Sequence, residues 1–272
     1  MTLKDQVAVV TGGGGGLGEG ICVCLAKAGA NVVVSDIQED LARKVAAKIQ
    51  DLGRKAIAVK TDVTDEGECQ ALVSTTLQEL GRLDILVCSA GTAGIEFMSP
   101  KDEAMALENI PVETWDRTID VNLKGVFLCI RAVIPHFKEQ QRGKIINISS
   151  IAGRQGRDML PIYAASKAGV INLSQGLALQ LAPHNINVNT ICPGLIWTPL
   201  WADGVDFMRK ANPALKDVPP EVAFNLMVQN SVPFKRPQTP EDMGELAVFL
   251  ASDAAKEITG QAINVDGGSI MS

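Results

Sequence analysis

Short apolar runs rich in valine and isoleucine alternate along the chain with longer segments whose apolar positions recur at helical spacing. The runs predict strands near Gln6–Thr11, Asn31–Asp36, Ala56–Lys60, Leu83–Ser89, Lys144–Ser149, Ile186–Cys192 and Ala262–Val265. The helical spacing predicts helices near Leu17–Ala28, Glu39–Leu52, Glu66–Leu80, Val112–Glu139, Pro161–Leu181 and Glu241–Ala251. The strand segments show no strict in–out alternation, which is the pattern of a parallel sheet covered on both faces. Strand and helix in turn therefore predict an α/β fold, a doubly wound parallel sheet of about seven strands in a single domain.

Two segments break the rhythm, residues 92–111 and the proline-rich stretch 195–240. Both follow strand ends. Ligands of open α/β sheets bind beyond such ends, and long connections in compact domains are usually functional or disordered, so both segments are expected to wall a substrate site.

Composition narrows the function without choosing it. Of 272 residues, 46% are apolar and 21% charged, an ordinary balance for a soluble domain with a sizeable core. A formal net charge of −6 with no Lys/Arg run leaves no electrostatic footprint for nucleic acid. No apolar stretch approaches the ~20 residues of a spanning helix, and Met1–Val10, carrying Asp5 and Gln6, does not resemble a secretion signal. The expected location is cytoplasmic. Cys22, Cys24, Cys69, Cys88, Cys129 and Cys192 form no CxxC pair and sit among apolar neighbours, as buried thiols of a reducing compartment do. Cys22 and Cys24, two apart on a helix, are expected to face different ways. With only His136 and His184 as imidazoles, no metal site is expected.

The first chemical signal is a glycine run. Val7–Thr11 leads into Gly12, Gly13, Gly14, Gly15 and Gly16, then Leu17 and Gly18. Between an apolar strand and an amphipathic helix, such a run lets backbone approach a pyrophosphate at a helix N-terminus, which points to a dinucleotide in a Rossmann-type fold. The second strand ends at Asp36, about twenty residues on. A carboxylate there can accept hydrogen bonds from ribose hydroxyls and would repel a 2′-phosphate. Its neighbour is Ile37, and the loop has no Arg or Lys. NAD is expected rather than NADP.

The second signal is Tyr163-Ala164-Ala165-Ser166-Lys167. Tyr163 and Lys167 share a helix face at i, i+4. A phenol of ordinary pKa about 10 is a poor base near neutrality, and a neighbouring ammonium favours its phenolate.

Together these motifs resemble the short-chain dehydrogenase/reductase family. Thr11-Gly12, Gly16 and Gly18 match its TGxxxGxG loop, Tyr163 and Lys167 its YxxxK, and Ser150 lies thirteen residues before Tyr163 where the family has a catalytic serine. Asn122, in Val121-Asn122-Leu123-Lys124-Gly125, resembles the family's catalytic asparagine. The resemblance implies that Tyr163 acts as general acid and base, that Lys167 lowers its pKa and holds the nicotinamide ribose, that Ser150 bonds the substrate oxygen, and that Asn122 helps hold a water. It also implies cofactor contacts from Asp62 and Val63 at the adenine and from Pro193, Gly194, Ile196 and Thr198 near the nicotinamide. Ser89, Ala90 and Gly91 follow the fourth strand; Cys88-Ser89 stands where many members have two asparagines, and the Ala-Gly half is kept. Asp266-Gly267-Gly268 resembles the family's closing segment. A homotetramer, assembled through the helices near Val112–Glu139 and Pro161–Leu181 and the C-terminal segment, is implied as well.

The resemblance implies an NAD-dependent oxidoreductase of secondary alcohols and ketones. Trp197, Trp201, Val205, Phe207, Met208, Leu215, Val222, Phe224 and Met227 either cover a hydrophobic alicyclic, aromatic or steroid-like substrate or form a lid's own small core or pack on the sheet. Thr198-Pro199-Leu200-Trp201 instead resembles acetoin and polyol dehydrogenases. Arg154 and Arg157 are read as solvated surface arginines, with a carboxylate or phosphate site as the alternative. A reductase of carrier-bound 3-oxoacyl thioesters and a non-catalytic NAD-binding subunit are the other readings; Asp36 weighs against the first, and the complete Ser150, Tyr163 and Lys167 set against the second.

Overall fold

Consecutive apolar side chains of a strand can all be buried only if both faces of its sheet are covered. The computed structural model describes residues 2–98, 106–156, 159–211 and 217–271, and it meets that condition. The strands are β1 (Val7–Thr11), β2 (Asn31–Asp36), β3 (Ala56–Lys60), β4 (Ile85–Cys88), β5 (Gly143–Ile148), β6 (Ile186–Pro193) and β7 (Ala262–Val265). The helices are α1 (Gly16–Lys27), α2 (Glu39–Asp51), α3 (Glu66–Leu80), α4 (Val112–Ile119), α5 (Gly125–Glu139), α6 (Pro161–Leu181), α7 (Pro199–Ala211), α8 (Pro220–Ser231) and α9 (Pro240–Ala251).

All seven strands are parallel, in the order β3-β2-β1-β4-β5-β6-β7. In β1, Ala8 and Val10 point into a core layer under α1, α2 and α9. Val7 and Val9 point into a second layer under α3, α5 and α6. The order reverses between β1 and β4, so the loops leaving those strands diverge and leave a crevice at the carboxyl edge.

Element ends agree with the expected ones to within about two residues, the usual ambiguity of helix and strand termini. Two departures matter. The helix expected over Val112–Glu139 is interrupted: α4 and α5 are joined by a π turn, Asp120–Lys124. The stretch 195–240, expected as a long loop, instead carries α7 and α8. Pro199 and Pro220 start these helices, where a missing N–H costs nothing and the fixed φ suits the first turn. Of the stretch 92–111, residues 92–98 and 106–111 are described, with short 3₁₀ turns at Ile95–Phe97 and Leu107–Asn109. Among the described residues, no helix is long and apolar enough to cross a membrane.

Cys22 and Cys24 do face different ways, and both directions are buried because α1 is sandwiched. Cys22 Sγ would lie 3.2 Å from a Cβ at Gly13, and Cys24 Sγ 2.5 Å from one at Gly244 on α9. Gly20 on α1 returns the contact: a Cβ there would come 2.4 Å from Pro240 Cβ and 2.8 Å from its carbonyl carbon. Two facing glycines thus set the close approach of α1 and α9. Gly20→Ala should destabilise the protein by about 1–3 kcal/mol, as overpacking does, and lower the thermal midpoint followed by circular dichroism by several degrees. An unchanged midpoint would show that the helices can separate freely.

Candidate active site

The crevice is bordered first by the glycine loop. Gly12 has φ +63°, and a Cβ on it would lie 2.7 Å from Ala90 Cα, so the loops after β1 and β4 touch there. Thr11 Oγ1 fastens the same junction, accepting from Ser89 N at 3.2 Å and Ala90 N at 3.4 Å. Gly18 must lack a side chain because a Cβ would lie 2.1 Å from Gly12 O. On Gly15 a Cβ would meet nothing within 4 Å. The loop's outer surface is therefore open beside the first turn of α1, whose N–H groups lack intrahelical partners. Gly16 faces Thr198 and Pro199 at the start of α7, with 3.6 Å from a Cβ to either residue. Leu17 packs under the loop, against the α1–α2–α9 core.

Asp36 stands at the end of β2, in reach of the loop. Its Oδ2 accepts from Gly14 N at 3.0 Å and its Oδ1 from Gln38 N at 2.9 Å. Each oxygen keeps a lone pair for a ribose hydroxyl. Ile37 beside it is 46% exposed, an apolar surface for a base to cover. Asp62 is differently employed: its Oδ1 accepts from Thr64 N at 2.9 Å and Thr64 Oγ1 at 2.8 Å. Burial works against its charge, but these bonds hold the carboxyl below its usual range. Val63 is buried against Gly125. Gly194 passes under the C-terminal segment, its N–H donating to Val265 O at 3.1 Å, while Ile196 is buried in the core at 2% exposure and has only backbone to offer.

Three elements deliver the expected catalytic side chains. The first two turns of α6 present Tyr163 and Lys167 on one face, with Lys167 Nζ 5.7 Å from the phenol ring centroid. Lys167 is buried and its Nζ donates to Ile148 O at 3.1 Å. The end of β5 brings Ser149 and Ser150. Ser149 Oγ donates to Lys167 O at 2.8 Å and is spent on backbone. Ser150 accepts from Ala152 N at 3.1 Å, and its side chain lies beside the Tyr163 phenol. The turn after it, Ile151–Gly153, lies so close to α6 that a Cβ on Gly153 would be 2.7 Å from the Lys167 carbonyl carbon. The π turn brings Asn122, fully buried, against residue 92 and α6. There Asn122 Oδ1 accepts from Thr92 N at 2.8 Å.

Electrostatics differs from the expected picture in one respect. Burial pushes the Tyr163 phenol up, and the Ser150 hydrogen bond only partly opposes it. Burial also brings Lys167 down to about 8, against a smaller upward pull from Cys192. Desolvation therefore outweighs the ammonium's pull on the phenol, because the ammonium is itself disfavoured by the same burial.

Other expectations are corrected. Arg154 is committed to β7, donating through Nε to Asn264 Oδ1 and through Nη2 to Ala262 O, each at 3.1 Å. It clamps the turn that carries Ser150 to the edge strand. Arg157 and Leu215 lie outside the described residues. Trp197, Trp201, Val205, Met208, Phe224 and Met227 form a small core between α7 and α8, with Phe224 5.0 Å from Trp197 and 5.8 Å from Trp201 between ring centroids. Of the two readings of this segment, a substrate cover or a lid's own small core, these rings take the second. Beside the catalytic cluster, residues 92–98 and α7 border instead a cavity of about 390 Å³ with mixed walls, among them Thr92, Ile95, Glu96, Leu200, Asp203 and Phe207. Thr92 and Ser166, both bonded to Asn122, escaped sequence reasoning, because an isolated hydroxyl inside a motif carries no spacing signal.

This arrangement matches known proteins over nearly the whole chain. The family model for short chain dehydrogenases matches residues 6–207. Galactitol 2-dehydrogenase of Agrobacterium fabrum is 40% identical, covering 100% of both chains. Cis-4-hydroxycyclohexanecarboxylate dehydrogenase of Sinomonas cyclohexanicum is 38% identical over 97% of this chain and 96% of its own. Among solved structures, NAD+-bound xylitol dehydrogenase superimposes with a TM-score of 0.88 at 28% identity, over 98% of this chain and 100% of that one. The chain belongs to the short chain dehydrogenase family. It is an oxidoreductase working between alcohols and ketones.

The buried lysine gives a test. Its folded pKa near 8 lies below the unfolded value, so the folded state holds fewer protons between pH 8 and 10.5, and stability from this residue rises across that window. At pH 7 the buried ammonium weakens the fold. Lys167→Met should therefore be more stable than the parent at pH 7 by roughly 1–3 kcal/mol, with the advantage shrinking as pH approaches 10. Urea unfolding of both proteins at the two pH values measures this; a pH-independent difference would mean that Lys167 titrates normally.

Proposed function

We propose that the chain transfers hydride between NAD(H) and a secondary alcohol or its ketone, with Tyr163 as acid and base. One observation carries this: a phenol and a buried ammonium one helical turn apart at the crevice, with the Ser150 side chain beside the phenol. In ketone reduction the Tyr163 Oη proton passes to the substrate oxygen as negative charge gathers there, and Ser150 Oγ donates a hydrogen bond to the same oxygen. In alcohol oxidation the phenolate accepts the hydroxyl proton. NAD(H), when bound, supplies the hydride donor or acceptor. The Lys167 ammonium favours the phenolate and would hold the nicotinamide ribose. Asn122 would hold a water linking Lys167 to solvent.

Gly12, Gly15, Gly16, Leu17 and Gly18 would carry the pyrophosphate, and Asp36 with Ile37 the adenosine. Asp62, Val63, Ser89, Ala90, Gly91, Pro193, Gly194, Ile196 and Thr198 complete the cradle. NAD is favoured over NADP because the Asp36 carboxylate, fixed by Gly14 and Gln38, would face a 2′-phosphate. Asp36→Ala should erode the ratio of kcat/KM for NAD over NADP by about tenfold or more. An unchanged ratio would remove Asp36 from ribose recognition.

The mixed walls of the cavity favour an alcohol carrying further polar groups on a small ring or chain over a bulky apolar one. The galactitol, xylitol and hydroxycyclohexanecarboxylate enzymes are of that kind by name. A homotetramer is favoured by apolar side chains left exposed along the α4–α5 and α6 face, Trp115, Phe127 and Leu179. The six unpaired buried thiols suit the cytoplasm.

Turnover followed by NADH absorbance with secondary alcohols tests the whole reading. Tyr163→Phe should retain NAD binding within about twofold and lose turnover by at least ~10³-fold. Substantial residual turnover would refute the acid and base assignment, and no turnover by the parent on any alcohol or ketone would leave a cofactor-binding scaffold.

A further inference from the structure

Within the catalytic cluster sits a buried hydroxyl that the four assigned side chains do not include. Ser166 lies on α6 between Tyr163 and Lys167 and is fully buried. Its hydroxyl donates to the Tyr163 carbonyl oxygen at 2.7 Å. With its single proton committed there, Ser166 Oγ can only accept from its other neighbour, and it accepts from Asn122 Nδ2 at 3.0 Å. The second amide proton of Asn122 goes to Thr92 O at 2.9 Å. With Thr92 N on Oδ1, one lone pair of the amide oxygen is left over.

That lone pair has a destination. A Cβ on Gly91 would lie 3.2 Å from Asn122 Oδ1 and 3.4 Å from Lys167 Nζ, so the amide oxygen and the lysine border one small space. Turned the other way, the amide would set its oxygen against Ser166 Oγ and Thr92 O, both without a proton to give, and its NH₂ against the ammonium. Among the described residues, the titratable groups beside Lys167 are Tyr163 on its own helix and Cys192 on β6. The Cys192 thiol, pushed up to about 11 by burial, stays neutral over the working range.

We propose that Ser166 is a positioning residue: by accepting from Asn122 Nδ2 it keeps the amide oxygen toward Lys167, and so supports the ammonium that eases proton release from Tyr163. This rests on the reading of Tyr163, Lys167 and Asn122 as the catalytic set. An oriented carbonyl dipole near Nζ favours the charged lysine, and a charged lysine favours the phenolate. Without Ser166, alcohol oxidation needs a higher pH.

The test is kinetics of Ser166→Ala, Asn122→Ala and the double variant, with NAD and an alcohol substrate across pH. Ser166→Ala should lower kcat about tenfold, the scale of one lost buried hydrogen bond, while KM for the alcohol and NAD moves less than about twofold. The pH at half-maximal kcat should rise by about half a unit or more. In the Asn122→Ala background the same substitution should change kcat by less than about twofold, because its route is already gone. Ser166→Cys, which keeps a weaker acceptor, should fall between parent and Ser166→Ala, and it carries the same comparison if the alanine variant does not fold. An unmoved pH profile, or a full-sized effect in the Asn122→Ala background, would overturn the proposal and leave Ser166 a helix-packing residue. Those results are separate from the Tyr163→Phe outcome, on which the catalytic reading itself stands.

Discussion

Because every strand of the sheet runs the same way, every strand presents its carboxyl end along one edge, and the chain's chemistry is confined to that edge. The reversal of strand order between β1 and β4 then decides where along it a ligand fits. At that point Gly12 and Ala90 meet backbone to backbone, and the loops on either side turn apart. The glycine loop, Asp36, the 89–91 segment and the catalytic helix are all placed by this one geometry. Side chains could be exchanged at many surface positions without disturbing it. A Cβ on Gly12 or Gly18 could not be accommodated without moving backbone.

On this frame the site is assembled from opposed tendencies. Desolvation disfavours both the phenolate of Tyr163 and the ammonium of Lys167, while hydrogen bonds from and around the neighbouring elements work against that penalty. The outcome is a lysine still mostly charged at neutrality but able to lose its proton near pH 8, and a phenol that parts with or takes up a proton only when its surroundings supply charge. Unfavourable burial is thus a component of the reactivity, and a more comfortable lysine would be a less useful one.

Sequence and structure agree where local spacing carries the information. The glycine run between strand and helix, Asp36 at a strand end, and Tyr163 four residues before Lys167 could all be placed in advance. So could the seven strands, whose valine and isoleucine runs have few competing interpretations. Other features escaped for identifiable reasons. Prolines in 195–240 look like helix breakers, yet Pro199 and Pro220 begin helices, and only the following residues' packing distinguishes the two cases. The π turn around Asn122 adds one residue to a helical ring, and Val121 and Leu123 read as ordinary helix on either side of it. Arg154 could have faced a substrate, but the distance to β7, which no local pattern encodes, commits it elsewhere.

The separate core of α7 and α8 has an evolutionary meaning. Trp197, Trp201 and Phe224 hold these helices to each other instead of to the sheet, so mutations in them are insulated from the machinery that handles hydride and proton. Such a module can be redecorated one face at a time while the rest of the molecule is inherited unchanged. Diversification of what the crevice accepts then needs no reinvention of the chemistry performed there.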